Sequence, residues 1–170
     1  MIDPQKQIRK AVIDALTGRV NRPIRIDGYR PLIWNDVDST WAEASDQYAD
    51  QVEVYNEVPV DAVHPFIKVT SRGYNEVDFN RNAINIESFV SIEVVTAFQG
   101  GVGGELEIND VVSGILQIIR KRDPQYFDLS EQGLNIYRMV IEDVTYITGK
   151  DRDSTFFKAI IDLAVTTEQS

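Results

Sequence analysis

From Ile84 to Phe98 the sequence alternates. Ile86, Val90, Ile92, Val94 and Phe98 fall on one side of a period-two pattern, with Glu87, Ser91 and Glu93 on the other. Only an extended chain brings every second residue to one face, so this segment is a strand with one side in a core and one toward water. A strand of this length needs strand neighbours to satisfy its backbone. Leu134–Ile147 and Thr155–Thr167 provide them. Both are rich in β-branched and aromatic residues, and Thr148-Gly149-Lys150-Asp151-Arg152-Asp153 between them reads as a hairpin turn. In the second, Phe157, Ala159, Ile161, Leu163 and Val165 share a face. Gln51–Val58 alternates around Glu53, and Pro65-Phe66-Ile67-Lys68-Val69-Thr70 begins a further strand.

Two segments switch to helical spacing. Ile8, Ala11, Val12, Ala15 and Leu16 make one apolar stripe, with Asp3 as cap, Pro4 in the first turn and Gly18 as the stop. Val111, Val112, Ile115, Leu116 and Ile119 make a second. There Asn109 is the expected cap, Arg120-Lys121-Arg122 stand at the negative end of the helix dipole, and Pro124 prevents continuation. Between residues 19 and 50 the prolines Pro23 and Pro31 break the chain. Ile24-Arg25-Ile26 and Leu32-Ile33-Trp34 read as short extended pieces, and Ser39–Asp50 as a loop or marginal helix. Strands in runs, without regular strand–helix alternation, indicate an α+β fold: an antiparallel sheet with two main helices on one face. The 170 residues read as a single domain, 1–170, with a loop or arm insertion around 35–63.

Composition narrows the chemistry. There is no cysteine, hence no disulfide, thiol nucleophile or thiolate metal site. The one histidine, His64, lies near Asp61, but no Gly-x-Ser-x-Gly elbow accompanies the pair. Gly100-Gly101-Val102-Gly103-Gly104 lacks the Gly-Lys-Ser/Thr ending of a phosphate loop, and Glu105 and Glu107 follow it, so it reads as a connection. The acids from Asp36 to Asp61 do not keep the spacing of a calcium loop and read as a solvated face. No catalytic residue, cofactor or metal is expected. No apolar run approaches the roughly 18 residues of a membrane span, and the N-terminus is polar within a few residues, unlike a signal peptide. A net charge of −10 argues against a protein built to grip duplex DNA through the Lys6–Arg30 bases and Arg120-Lys121-Arg122.

Charge is nevertheless segregated. Lys6–Arg30 holds seven bases and two acids, whereas residues 35–63 hold eight acids and no base. This is either ordinary surface variation or a pair of complementary patches on a repeating subunit, since a head-to-tail contact joins two different surfaces.

Two stretches carry a family resemblance: Val54-Tyr55-Asn56-Glu57-Val58-Pro59, and after a short loop Pro65-Phe66-Ile67. They are similar to a valine-tyrosine-acid/amide-x-valine-proline stretch leading into a proline-aromatic-isoleucine strand in the tail completion, or tail terminator, proteins of tailed bacteriophages. The later strand, helix and strand pair follow in that family's order. Residues 19–50 and the glycine-rich connection are longer than in the family. The resemblance implies a structural virion protein, not an enzyme. Its subunits form a ring at the head–tail junction, hexameric in the tail terminators. The ring caps the tail tube and meets the head-completion or connector protein, and DNA passes through the lumen only as cargo. It implies residence in the tail or neck of the virion, after assembly in the host cytoplasm. The alternative is a portal-adjacent adaptor ring of a short-tailed phage, which would be twelve-fold; a metal-dependent hydrolase or nuclease is a more distant one. On this reading the candidate interface residues are Asp36, Asp38, Trp41, Glu43, Asp46, Tyr48 and Asp50 on the arm, with Arg22, Arg25 and Arg30 as acceptors.

Overall fold

The structure, a computed structural model, describes residues 3–17, 23–25, 32–35, 40–43, 51–58, 66–79, 82–98, 105–150 and 155–169. In chain order the elements are α1 (Pro4–Thr17), β1 (Pro23–Arg25), β2 (Leu32–Asn35), β3 (Thr40–Glu43), β4 (Gln51–Tyr55), β5 (Phe66–Phe79), β6 (Ile84–Phe98), α2 (Glu105–Lys121), α3 (Pro124–Phe127), β7 (Leu134–Lys150) and β8 (Thr155–Gln169). A 3-10 turn, Ser130–Gln132, precedes β7. The fold is α+β.

Among the described residues six strands form one sheet in the order β1-β4-β5-β6-β8-β7, while β2 and β3 pair separately. The long β6 is central and has the bounds its alternation predicts. It pairs antiparallel with β5 and β8, and β8 pairs antiparallel with β7. Insertion of β8 places it between two strands that run the same way, β6 and β7, which α2 and α3 connect. This is a split β-α-β arrangement. The sheet is not wholly antiparallel, because β4 and β5 pair parallel, Val54 opposite Ile67. Alternation gives a strand's faces and not its direction, so the sequence did not reveal this pair.

One face of the sheet makes the core. Ile67 and Val69 of β5, Val90, Ile92 and Val94 of β6, and Ala159, Ile161 and Leu163 of β8 are buried on it. Residues of all three helices join them in one cluster. The α1 stripe is buried as its spacing predicts, and the Asp3 carboxylate accepts from the Gln5 amide at 2.9 Å, which is the expected cap. The α2 stripe is buried too, but that helix starts at Glu105 and not after Asn109. Ile108 extends the stripe by one turn.

Three further expectations change. The segment read as loop or marginal helix contains β3, with Trp41 in register opposite Trp34. Thr148-Gly149-Lys150 is not turn but strand, opposite Phe157, Phe156 and Thr155. Gln51–Tyr55, included in the expected arm, belongs to the main sheet. The remaining turn residues 151–153, Gly18 and the Gly100–Gly104 connection lie outside the described residues.

Candidate functional site

The second face of the sheet carries no helix among the described residues, and its centre is a guanidinium. Arg72 sits on β5 beside Gly73, where the β5–β6 register slips between Ser71 and Gly73. Gly73 has φ +119°, a conformation that a side chain disfavours. The slip inserts one extra residue, as a bulge does, and re-aims the neighbouring side chain. From there Arg72 reaches across the sheet. Its carbon Cζ lies 5.7 Å from the centre of the Phe89 ring on β6. Its Nε is 3.5 Å from Asp162 Oδ1 on β8, and its Nη2 is 3.8 Å from Glu142 Oε2 on β7.

One side chain therefore links four strands. Asp162 needs the cation, because its register partner on β7 is another carboxylate, Asp143. Like charges directly opposite destabilise a strand pair. The Ser91 hydroxyl donates to Asp162 at 2.7 Å, and the Thr145 hydroxyl donates to Asp143 at 3.2 Å, so each acid has its own donor. Further along the face Lys158 Nζ lies 3.2 Å from Glu93 Oε2. Each such half-exposed pair contributes only about 0–1 kcal/mol. Together they fix charge positions on one face of the sheet, an arrangement suited to contact with another surface.

Two arginines close backbone ends. Arg9 of α1 donates from Nε to the Val69 carbonyl at 3.0 Å and from Nη2 to the Asn56 carbonyl at 2.9 Å. Val69 follows Lys68, the last β5 residue paired with β4, so the guanidinium occupies the place where that ladder stops. Arg122, in a left-handed conformation at φ 48°, ends α2 and donates to the Met139 carbonyl of β7. Asp123 then caps α3 through the Gln125 amide at 3.0 Å.

An open groove of about 630 Å³ runs between α1 and the segment after α3, with Lys10, Asp14, Asp128 and Glu131 on its walls. Asp128 accepts from both the hydroxyl and the amide of Ser130, at 2.6 and 3.1 Å, and these bonds hold its carboxyl below the usual range. Among the described residues no group of three or more His, Cys, Asp or Glu side chains is placed to hold a metal ion. No helix among them is long and apolar enough to cross a membrane.

The interface residues expected from sequence are only partly in view. Arg25 lies on β1 opposite Gln51, and Trp41 and Glu43 lie on β3. Arg22, Arg30, Asp36, Asp38, Asp46, Tyr48, Asp50, Asp61 and His64 lie outside the described residues. Arg9, counted among the bases of the N-terminal patch, is spent on internal carbonyls. The Arg72 network was missed. Its only sequence signal is charge recurring on the polar side of strands, and the register slips hide which charges meet. No protein-family model matches the chain, and none of the curated proteins compared with it is similar.

Proposed function

We propose that this chain is a structural subunit of a tailed-bacteriophage virion. It forms a ring at the head–tail junction that caps the tail tube, joins it to the head connector, or both. The observation that carries this reading is the pairing of the two stretches behind the family resemblance. Val54 stands opposite Ile67 in the parallel β4–β5 ladder, and the Tyr55 ring meets the Phe66 ring edge-on at 6.0 Å. The likeness thus falls on one packed unit and not on two unrelated fragments. The strand, helix and strand pair that follow keep the order the resemblance implies.

In this role the subunit binds copies of itself, the tail tube protein and the head-completion protein. It acts in the virion after assembly in the host cytoplasm, and DNA crosses the lumen unread. A net charge of −10 suits a lumen that repels phosphate and lets DNA slide. The test is genetic. A phage whose copy of this reading frame is interrupted is expected to yield filled heads and unattached tails, with joining restored by the chain supplied in trans. Normal virions from the interrupted phage would refute the proposal.

A further inference from the structure

The sheet ends in two backbone edges that no described strand covers. On one side β4 pairs with β5 only as far as Lys68, and among the described residues no strand covers the outer edge of residues 70–79. On the other side β7 is the last strand. Its first part runs beside the segment after α3, and Arg122 takes the Met139 carbonyl there. Residues 140–150 have no strand beyond them among the described residues. The two bare runs are of similar length.

Exposed apolar side chains collect on these strands. Among the described residues, the large hydrophobic side chains that are exposed are Tyr74, Val77, Tyr137, Tyr146 and Ile147. All belong to the outer half of β5 or to β7. Val77 is 59% exposed and Ile147 48%. A long bare strand with apolar side chains is a template for another strand, and proteins that avoid such pairing cover the edge or charge it. Here Arg9 closes the β5 edge just where β4 ends, and no described strand covers the edge beyond.

Strand direction selects the occupant. Three antiparallel steps, β5 to β6 to β8 to β7, leave β5 and β7 running oppositely. In a head-to-tail arrangement every copy has the same orientation, so β7 of one copy meets β5 of the next antiparallel, the more stable pairing. The polar face and the helix face each continue across the junction.

We infer that copies of this chain join edge to edge, residues 140–150 of β7 in one copy pairing antiparallel with residues 70–79 of β5 in the next. The inference uses only the self-assembly part of the proposed function and holds without any virion. It also sets a stagger. Val140 lies level with Ala164 and Phe89, and Lys150 with Thr155 and Phe98, whereas the bare run of β5 lies level with residues 84–91 of β6. Neighbouring copies are therefore offset along the strands by roughly 20 Å at about 3.3 Å per residue. A closed ring absorbs such an offset by tilting its strands.

The absence of native cysteine makes the test specific. Asn75→Cys marks β5. Asp143→Cys, Thr145→Cys and Ile147→Cys, two residues apart on one face, sample the register on β7. Each β7 variant is mixed with Asn75→Cys in the full chain at high concentration and oxidised. Expected is a disulfide-linked mixed dimer, several-fold above any single variant alone, strongest for one of the three β7 positions. Adding Val77→Lys to the β5 variant should lower its yield several-fold with an unchanged circular dichroism spectrum. Absence of the mixed product, or faster linking of a β7 variant to itself, overturns the inference, the second outcome indicating two-fold β7–β7 pairing. A phage knockout that still joins heads to tails would remove the virion role and leave this result untouched.

Discussion

Gly73 combines an unusual backbone with empty space. Its φ is +119°, and a Cβ built there meets nothing within 4 Å. Gly73→Ala is therefore expected to cost about 1–2 kcal/mol through backbone strain alone, measured as a lower denaturant midpoint. Because Arg72 is aimed by the same register slip, the substitution should also weaken its reach to Asp162. Asp128 gives a second prediction at this scale. The Ser130 hydroxyl first, and the Ser130 amide second, hold its carboxyl below the ordinary aspartate value in the folded chain. A depressed acid stabilises the fold above its unfolded-state pKa, and that contribution disappears as pH falls through the folded value. Asp128→Asn should thus be less stable than the parent at neutral pH, and the gap should close as pH falls through the lowered folded-state value; thermal unfolding across a pH series measures this. Single residues were unevenly legible. The Asp3 cap could be read directly, because a cap and its helix are neighbours in sequence. The Arg72 contacts could not, because they join residues on four strands across two register slips.

Among the elements, α1 and β6 match their patterns closely, because each buries one regular stripe and nothing competes with it. Departures arise where pattern is weak or pairing is remote. α2 begins a turn early because Ile108 continues the apolar stripe one turn before Asn109. β3 is too short to show a period. The parallel direction of β4 is a tertiary fact. Arg9 ties α1 to the end of that ladder, so its removal should act on an element and not only on a contact. Arg9→Met keeps the apolar stem and removes both donors. It should cost about 1–3 kcal/mol, and amide exchange should accelerate in Gln51–Tyr55 before it does in β6. Thr167 points the other way. It is buried at 0% exposure, and its hydroxyl oxygen has no partner among the described residues. Thr167→Val, of nearly the same shape, should raise stability by up to about 1 kcal/mol in equilibrium unfolding, since an unpartnered buried polar group is costly.

For the molecule as a whole, charge and bare edges oppose each other. At neutral pH the net charge of −10 keeps copies apart. Near the sequence pI of 4.5 that repulsion vanishes, and the edge strands are free to meet. Light scattering should therefore peak close to that pH, and Ile147→Lys should lower the peak more than a lysine placed on exposed α2 at Ser113. Layout was legible at this scale: helix, strands, helix, hairpin. The assembly edges were not, because a sheet edge is defined by what fails to pair with it, and the sequence does not record strand order. That order has a further consequence in the timing of synthesis. β8 is the last of the described strands to leave the ribosome, yet it stands inside the sheet between β6 and β7. Until it arrives, β6 lacks its partner on that side and β7 has none. A nascent chain stopped before Thr155 is thus a split sheet with an uncovered interior, and the fold can close only once nearly all of these residues have been translated. Protease resistance in stalled chains should appear abruptly with the last strand and not build up gradually along the chain.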